Sequence, residues 1–154
     1  MSAPPADVPL ATVGVLVVGP SGRVLLIRTR KWKDRWGVPG GKIAYGERMA
    51  DAARRELREE TGLAIRDLRW APVQEAVRSP EFHRPAHFVL LNYVARSDSE
   101  AVTLNEEAQA HAWVTVEEAL GMDLNRPTRV LVEHYRQHGF ATPALEEGHA
   151  AADG

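Results

Sequence analysis

Three glutamates, Glu56, Glu59 and Glu60, crowd the stretch GERMADAARRELREETGL (46–63). If this stretch is helical, 100° per residue places all three within about a third of the helix circumference. Like charges at that spacing cost an isolated helix roughly 0.2–0.5 kcal/mol per pair. Two readings follow. One is a solvated charged face, which RREE taken alone favours. The other is a set of hard carboxylate oxygens gathered for a divalent cation such as Mg²⁺ or Mn²⁺, which keeps several waters while it binds phosphate oxygens. The chain has no cysteine and the cluster has no histidine, so zinc is a poor match.

The elements that must carry these side chains can be read in outline. The helix is expected from about Arg48 to Thr61, with Gly62 as its stop signal. Ala50, Ala53 and Leu57 form an apolar stripe that seats it on a sheet, Arg54 and Arg58 point to solvent, and Asp51, Arg55 and Glu59 form an i, i+4 ladder. Before it, ATVGVLVV (11–18) and RVLLIRT (23–29) read as a β-hairpin joined by GPSG. A loop rich in Lys, Arg and Gly, RKWKDRWGVPGGKIAYGE (30–47), separates the hairpin from the helix. LRWAPVQEAVR (68–78) and AHFVLLNYVAR (86–96) read as strands around the loop SPEFHRPA, and HAWVT (111–115) as a short one. Thr115 and Glu118 form a capping box for a small helix. Asn125 with Pro127 opens a last helix to about His138, with Val130, Leu131 and Tyr135 at helical spacing. Strands, helix, strands, helix: a mixed layer protein.

At 154 residues one domain is expected, over 9–140, with flexible tails at 1–8 and 141–154 that are rich in Ala, Pro, Gly and acid. A net charge of −2, with 26% charged and 44% hydrophobic residues, gives no pull toward nucleic acid or membrane. No apolar run approaches the ~18 residues that span a bilayer, and MSAPPADVPL has no signal-peptide pattern. A cytoplasmic location is the expectation.

From Gly41, five residues lead to Glu47 and seven more to Arg55-Glu56-Leu57, followed by Glu59-Glu60, Gly62 and Leu63. This resembles the Nudix box, Gly-x5-Glu-x7-Arg-Glu-U-x-Glu-Glu-x-Gly-U with U a bulky aliphatic, at all nine specified positions. With WGVPGGK ahead of it and the strand pattern around it, the resemblance extends over about 11–139. It implies an α+β fold, the Nudix αβα sandwich with a mixed β-sheet. It also implies Mg²⁺-dependent (or Mn²⁺-dependent) hydrolysis of a nucleoside diphosphate linked to another group, by water attack on phosphorus. The glutamates are then crowded because cations sit among them.

Carried over residue by residue, the resemblance makes Glu59 and Glu60 the main metal ligands and Glu56 a further ligand or the base. The Gly40 carbonyl joins them, while Glu47 and Arg55 support the loop–helix geometry; Arg55 thus completes the catalytic set. Glu107, six residues before Trp113, matches an additional ligand of MutT-like members. Some relatives carry a base glutamate three positions further on, where this chain has Ala110, so Glu56 and Glu107 both stay open as the base. In MutT-like enzymes an Asn at an Asn-x-Pro step contacts the purine. Asn125 matches that step, and a plain helix cap is its other reading.

The basic loop of Arg28, Arg30, Lys31, Lys33 and Arg35 is the expected phosphate-side wall of the cleft, with Arg28 favoured and Arg28 and Arg30 the expected substrate contacts, against a merely solvated charged loop. Trp32 is a candidate to stack on a base, while Trp36, Trp70 and Trp113 are expected in the core. His134 and His138 lie one turn apart without an evident third ligand, and His83 and His87 flank the SPEFHRPA loop. The expected substrate is a small nucleotide, with MutT-like cleansing of nucleoside triphosphates or oxidised deoxynucleotides favoured. Hydrolysis of a nucleotide sugar of ADP-ribose or GDP-mannose type is the alternative. A non-catalytic nucleotide sensor is the competing class, and the intact box argues against it. No stable nucleic-acid partner and no membrane are expected. Dimerisation stays open, since many members of the family dimerise and no surface here specifies it.

Overall fold

The computed structural model describes residues 7–144. Its organising element is β1 (Leu10–Val18), whose β-branched run is buried on both faces. A GPSG turn returns the chain into β2 (Val24–Arg28), antiparallel to β1 with Val18 opposite Val24. Two short strands follow, β3 (Trp36–Gly37) on β2 and β4 (Gly40–Lys42) on β1. After helix α1 (Met49–Thr61) come β5 (Ile65–Trp70), β6 (Gln74–Val77) and the long β7 (His87–Ser97). β8 (Ala110–Val114), α2 (Val116–Leu120) and α3 (Arg126–His138) complete the chain. Among the described strands only β1 and β7 run parallel, in register from Leu10–Phe88 to Val18–Arg96; the other strand pairings are antiparallel, so the sheet is mixed.

Strand alternation divides the core into two layers. Val13, Val15 and Val17 of β1 face α1 through Ala52, Ala53 and Leu57. Leu16 and Val18 face the other way, onto Ala119, Leu131 and Val132 of α2 and α3. This helix–sheet–helix stack is the expected αβα sandwich. No described helix is long and apolar enough to cross a membrane.

Local details differ from the sequence reading. The strand expected over 68–78 is two strands on the same edge of β7, broken where Pro72 has no N–H to give the ladder. The segment 30–47 is not a plain loop: it holds a 3-10 turn (Arg30–Trp32) as well as β3 and β4. On α1, Ala52 joins Ala53 and Leu57 in full burial, while Ala50 is only partly covered. Most of both expected tails lies outside the described residues. The described part of the C-terminal one is tied to β5: Trp70 N donates to Pro143 O (3.0 Å) and Thr142 Oγ1 to Trp70 O (2.6 Å).

Candidate active site

The carboxylate helix is positioned at both ends. At its C-terminus Gly62 takes a left-handed conformation (φ 75°), and its N–H closes the helix on Arg58 O. On its flank β4 lies beside β1, with Gly40 opposite Gly14 and Gly41 opposite Val13. A Cβ on Gly40 would penetrate the Val13 carbonyl oxygen, so only glycine permits this approach. The Gly40 N–H then donates to Glu60 Oε1 at 3.0 Å.

Glu60 is 1% exposed although it carries a carboxylate. Burial raises its pKa well above the usual carboxylate range, and Glu56 beside it pushes the same way; Lys31 and the Gly40 N–H oppose them. Arg55 holds the rest of the acidic face together. Its Nε and Nη2 donate to both oxygens of Glu47 (2.7 and 3.0 Å), its Nη1 to Glu56 Oε1 (2.9 Å) and Glu59 Oε1 (3.3 Å), and its Nη2 also to Lys42 O (3.1 Å). This fork holds the Glu47 carboxyl down at about 2, helped by the Ala44 N–H. Glu47 therefore occupies the N-terminal side of Arg55 that the sequence ladder gave to Asp51, which is exposed.

Among the described residues, no three acid or imidazole side chains close a cation site by themselves. The donors nevertheless fit a hard divalent ion that keeps much of its water. All are oxygens, and Glu60 is a buried carboxylate that a neighbouring cation would let ionise. The space beside Glu56 also exists only because residue 41 is glycine: a Cβ there would lie 2.5 Å from Glu56 Cδ. When bound, such an ion would supply positive charge to a phosphoryl oxygen and acidify a water. Glu56, Glu59 and Glu60 are the side chains that would hold it. Arg55 would set the orientation of Glu56 and Glu59.

A cleft of about 430 Å³ leads away from these carboxylates. Glu56, Glu59, Glu60 and Glu107 stand at one part of its wall; Trp32, Phe82, His83 and Phe88 at another. The aromatic rings brace one another edge to face, Trp32–Phe82 at 4.8 Å and Phe82–Phe88 at 4.9 Å between centroids. His83 N donates to Lys31 O (2.7 Å), which fastens the SPEFHRPA loop over the 3-10 turn.

Each expected site residue can now be placed. Glu56, Glu59, Glu60, Gly40, Glu107 and Asn125 all line the cleft, and Arg55 lies behind the carboxylates. Glu107 is steadied by Asn105, whose Nδ2 donates to Glu107 Oε2 (3.2 Å) and whose N donates to Glu60 O (3.3 Å). Arg28 and Arg30 do not reach the cleft: Arg28 lies over the Trp36 ring at 5.7 Å, and Arg30 is exposed in the 3-10 turn. Of the basic loop only Lys31 is on the wall, and Lys42 and Arg84 add two further cations from elsewhere in the chain. Trp36, Trp70 and Trp113 pack on the two core layers, as expected. His134 and His138 lie with tilted rings 4.9 Å apart on α3, and neither lines the cleft; nor does His87. Sequence reasoning named Lys31 only as one member of the basic loop and missed Phe82 and Asn92. Only Phe82 had a signal, its place in a loop flanked by histidines.

Known proteins resemble the chain throughout this region. The family model for the NUDIX domain matches residues 8–135. The nucleoside triphosphatase NudI of Escherichia coli is 32% identical over 101 residues, covering 62% of this chain and 72% of the relative. The crystal structure of a MutT NUDIX hydrolase from Burkholderia pseudomallei superposes with a TM-score of 0.72 at 27% identity, over 83% of this chain and 98% of that one. The NUDIX domain of Shewanella oneidensis NrtR, complexed with ADP ribose, shares the fold with a TM-score of 0.71 at 21% identity, over 85% of this chain and 88% of that one. Hydrolases of this family generally work with a divalent metal ion. The chain belongs to the Nudix family and is a pyrophosphohydrolase acting on acid anhydrides.

Proposed function

We propose that the protein is a Mg²⁺-dependent nucleoside triphosphate pyrophosphohydrolase, with ordinary or oxidised nucleotides as substrates. The observation that carries this reading is one continuous cleft joining the Glu56–Glu59–Glu60 cluster to an aromatic wall and Asn125. A triphosphate has the same two parts, a charged chain for the carboxylate-bound cation and a flat base for the rings. The likeness to the nucleoside triphosphatase NudI supports the same choice. Glu56 and Glu107 both border the carboxylate end and are the two candidates for the base that deprotonates the attacking water. A panel of nucleoside triphosphates, oxidised deoxynucleotides, ADP-ribose and GDP-mannose tests it. Faster turnover of a nucleotide sugar than of every triphosphate would replace the reading.

Activity should vanish in EDTA and return with Mg²⁺ or Mn²⁺. Cation affinity should also depend on pH. The Glu60 carboxyl, pushed up to about 8, is neutral at lower pH. Its contribution to stability in the metal-free protein is therefore present below the ordinary glutamate value of about 4.3 and is lost as pH rises through the raised one. A bound cation needs the ionised form, so affinity should climb with pH up to about 8, by as much as tenfold per unit. Calorimetric titration with Mg²⁺ measures this. An affinity independent of pH over that range would remove Glu60 from the linkage.

Asn125 carries two roles on separate atoms. Its Oδ1 accepts from Thr128 N at 3.0 Å, which caps α3, while its Nδ2 is left for the cleft that Asn125 lines. Asn125→Ser retains a capping oxygen and removes the amide donor. The melting temperature should stay within a few degrees, since a preserved cap leaves only a fraction of its ~1 kcal/mol at risk. The ranking of bases in the panel should change. An unchanged ranking would reduce Asn125 to a cap.

A further inference from the structure

Asn92 sits in the middle of β7, opposite Gly14 of β1, and is 3% exposed. A buried amide in a strand of Phe, Val, Leu and Tyr needs partners for both ends. Its Nδ2 donates to Pro72 O at 3.0 Å, and a carbonyl only accepts, so the orientation of the amide is fixed. Oδ1 is then the free acceptor, and Asn92 lines the cleft. It lies where a Cβ on Gly14 would come within 2.9 Å of it. Asn125 is arranged in the opposite sense: Thr128 N–H occupies its Oδ1, and Nδ2 lies 2.6 Å from where a Cβ on Gly37 would be. The same Gly14 Cβ position is 3.4 Å from Val38 Cγ2, so the two amides flank the Gly37–Val38 segment.

We propose that Asn92 is a specificity-determining residue that reads the base through its Oδ1, as the acceptor that complements the donor of Asn125. The proposal rests on the reading above that a nucleotide base occupies the aromatic part of the cleft. The ligand edge that fits offers a hydrogen-bond donor and an acceptor close together, as the substituted edges of the nucleobases do. A purine without substituents at C2 and C6 offers no such donor on its six-membered ring. Sites that leave a buried polar group unpaired reject such analogues strongly.

The test uses the intact protein and the binding of 5′-monophosphates followed by ligand-observed NMR. The ligands are AMP, GMP, CMP, UMP and the unsubstituted purine ribonucleotide. Wild type should bind at least one natural base about tenfold or more tightly than the unsubstituted purine. In Asn92→Leu, and separately in Gly14→Ala, that ratio should fall to about threefold or less. Gly14→Ala keeps the Asn92 side chain and presses a methyl on its Oδ1, so it answers the question even if Asn92→Leu fails to fold. No base preference in wild type, or a ratio retained in Gly14→Ala, overturns the role of Asn92. Triphosphate turnover by wild type is assayed beside it. Its absence together with base-selective monophosphate binding removes the triphosphatase reading and supports the role of Asn92.

Discussion

Glu60→Gln is expected to lower kcat by at least ~10²-fold while leaving the fold intact, because it removes a charged ligand from the cation that carries transition-state charge. The substitution is close to isosteric. Glutamine still offers Oε1 to the Gly40 N–H, the hydrogen bond that seats this side chain. It also reproduces the neutral form that burial favours in the metal-free protein. The metal-free melting temperature should therefore hold below about pH 8, and rise only above it, where an ionised Glu60 would repel Glu56. The stabilisation that Mg²⁺ adds to wild type should shrink or disappear. Steady-state kinetics and melting with and without Mg²⁺ separate these effects. A variant within a few-fold of wild type would exclude Glu60 from the reacting centre.

The second large effect is structural. Gly40→Ala should destabilise the protein by at least ~3 kcal/mol, because the new methyl has no soft neighbour to displace. It meets the Val13 carbonyl oxygen and then Gly14 Cα at 2.9 Å, both backbone atoms of the central strand. β1 is fixed on one side by β4 and along its whole length by β7, so it cannot retreat. Denaturant unfolding measures the loss. Gly41→Ala supplies the contrast. Its methyl meets the Glu56 carboxylate, the end of a side chain that can swing away. That variant should unfold near the wild-type midpoint and yet be impaired in turnover. Equal stability of Gly40→Ala and wild type would mean that β4 is not clamped to β1 as described.

What could be read in advance follows from where information is local. The hairpin, α1 with its Gly62 stop, the Thr115–Glu118 capping box and the Asn125 cap each rest on neighbouring residues, and the structure has all four. The box glutamates were legible for the same reason, because helical spacing alone puts them on one face. β3 and β4 were not, since strands containing Gly37, Gly40 and Gly41 have no β-propensity and exist only through pairing with β2 and β1. The break at Pro72 was visible as a residue but not as a division. The replacement of Arg28 and Arg30 by Lys31 has a similar origin. The chain reverses through the 3-10 turn and two left-handed residues, Lys33 and Asp34, and that local geometry decides which cation faces the cleft. No periodicity encodes it. Asn92 was hidden inside an apolar strand, where its role depends on Pro72 and on a glycine 78 positions earlier.

The parallel β1–β7 ladder also governs how this site comes into being. It joins residues such as Leu10 and Phe88 across about half of the sequence, and the cleft takes Thr12, Val13 and Gly14 from the first strand and Phe88, Leu90 and Asn92 from the second. Local contacts, in α1 or the hairpin, can form early and without reference to the rest of the chain. The ladder requires closure of a long loop first, a step that loop-closure entropy makes slow. A nascent chain halted before residue 87 would thus hold every box carboxylate and still have no cleft. Catalytic competence in this protein is therefore expected late in folding, with the arrival of β7 rather than with the motif that announces the chemistry.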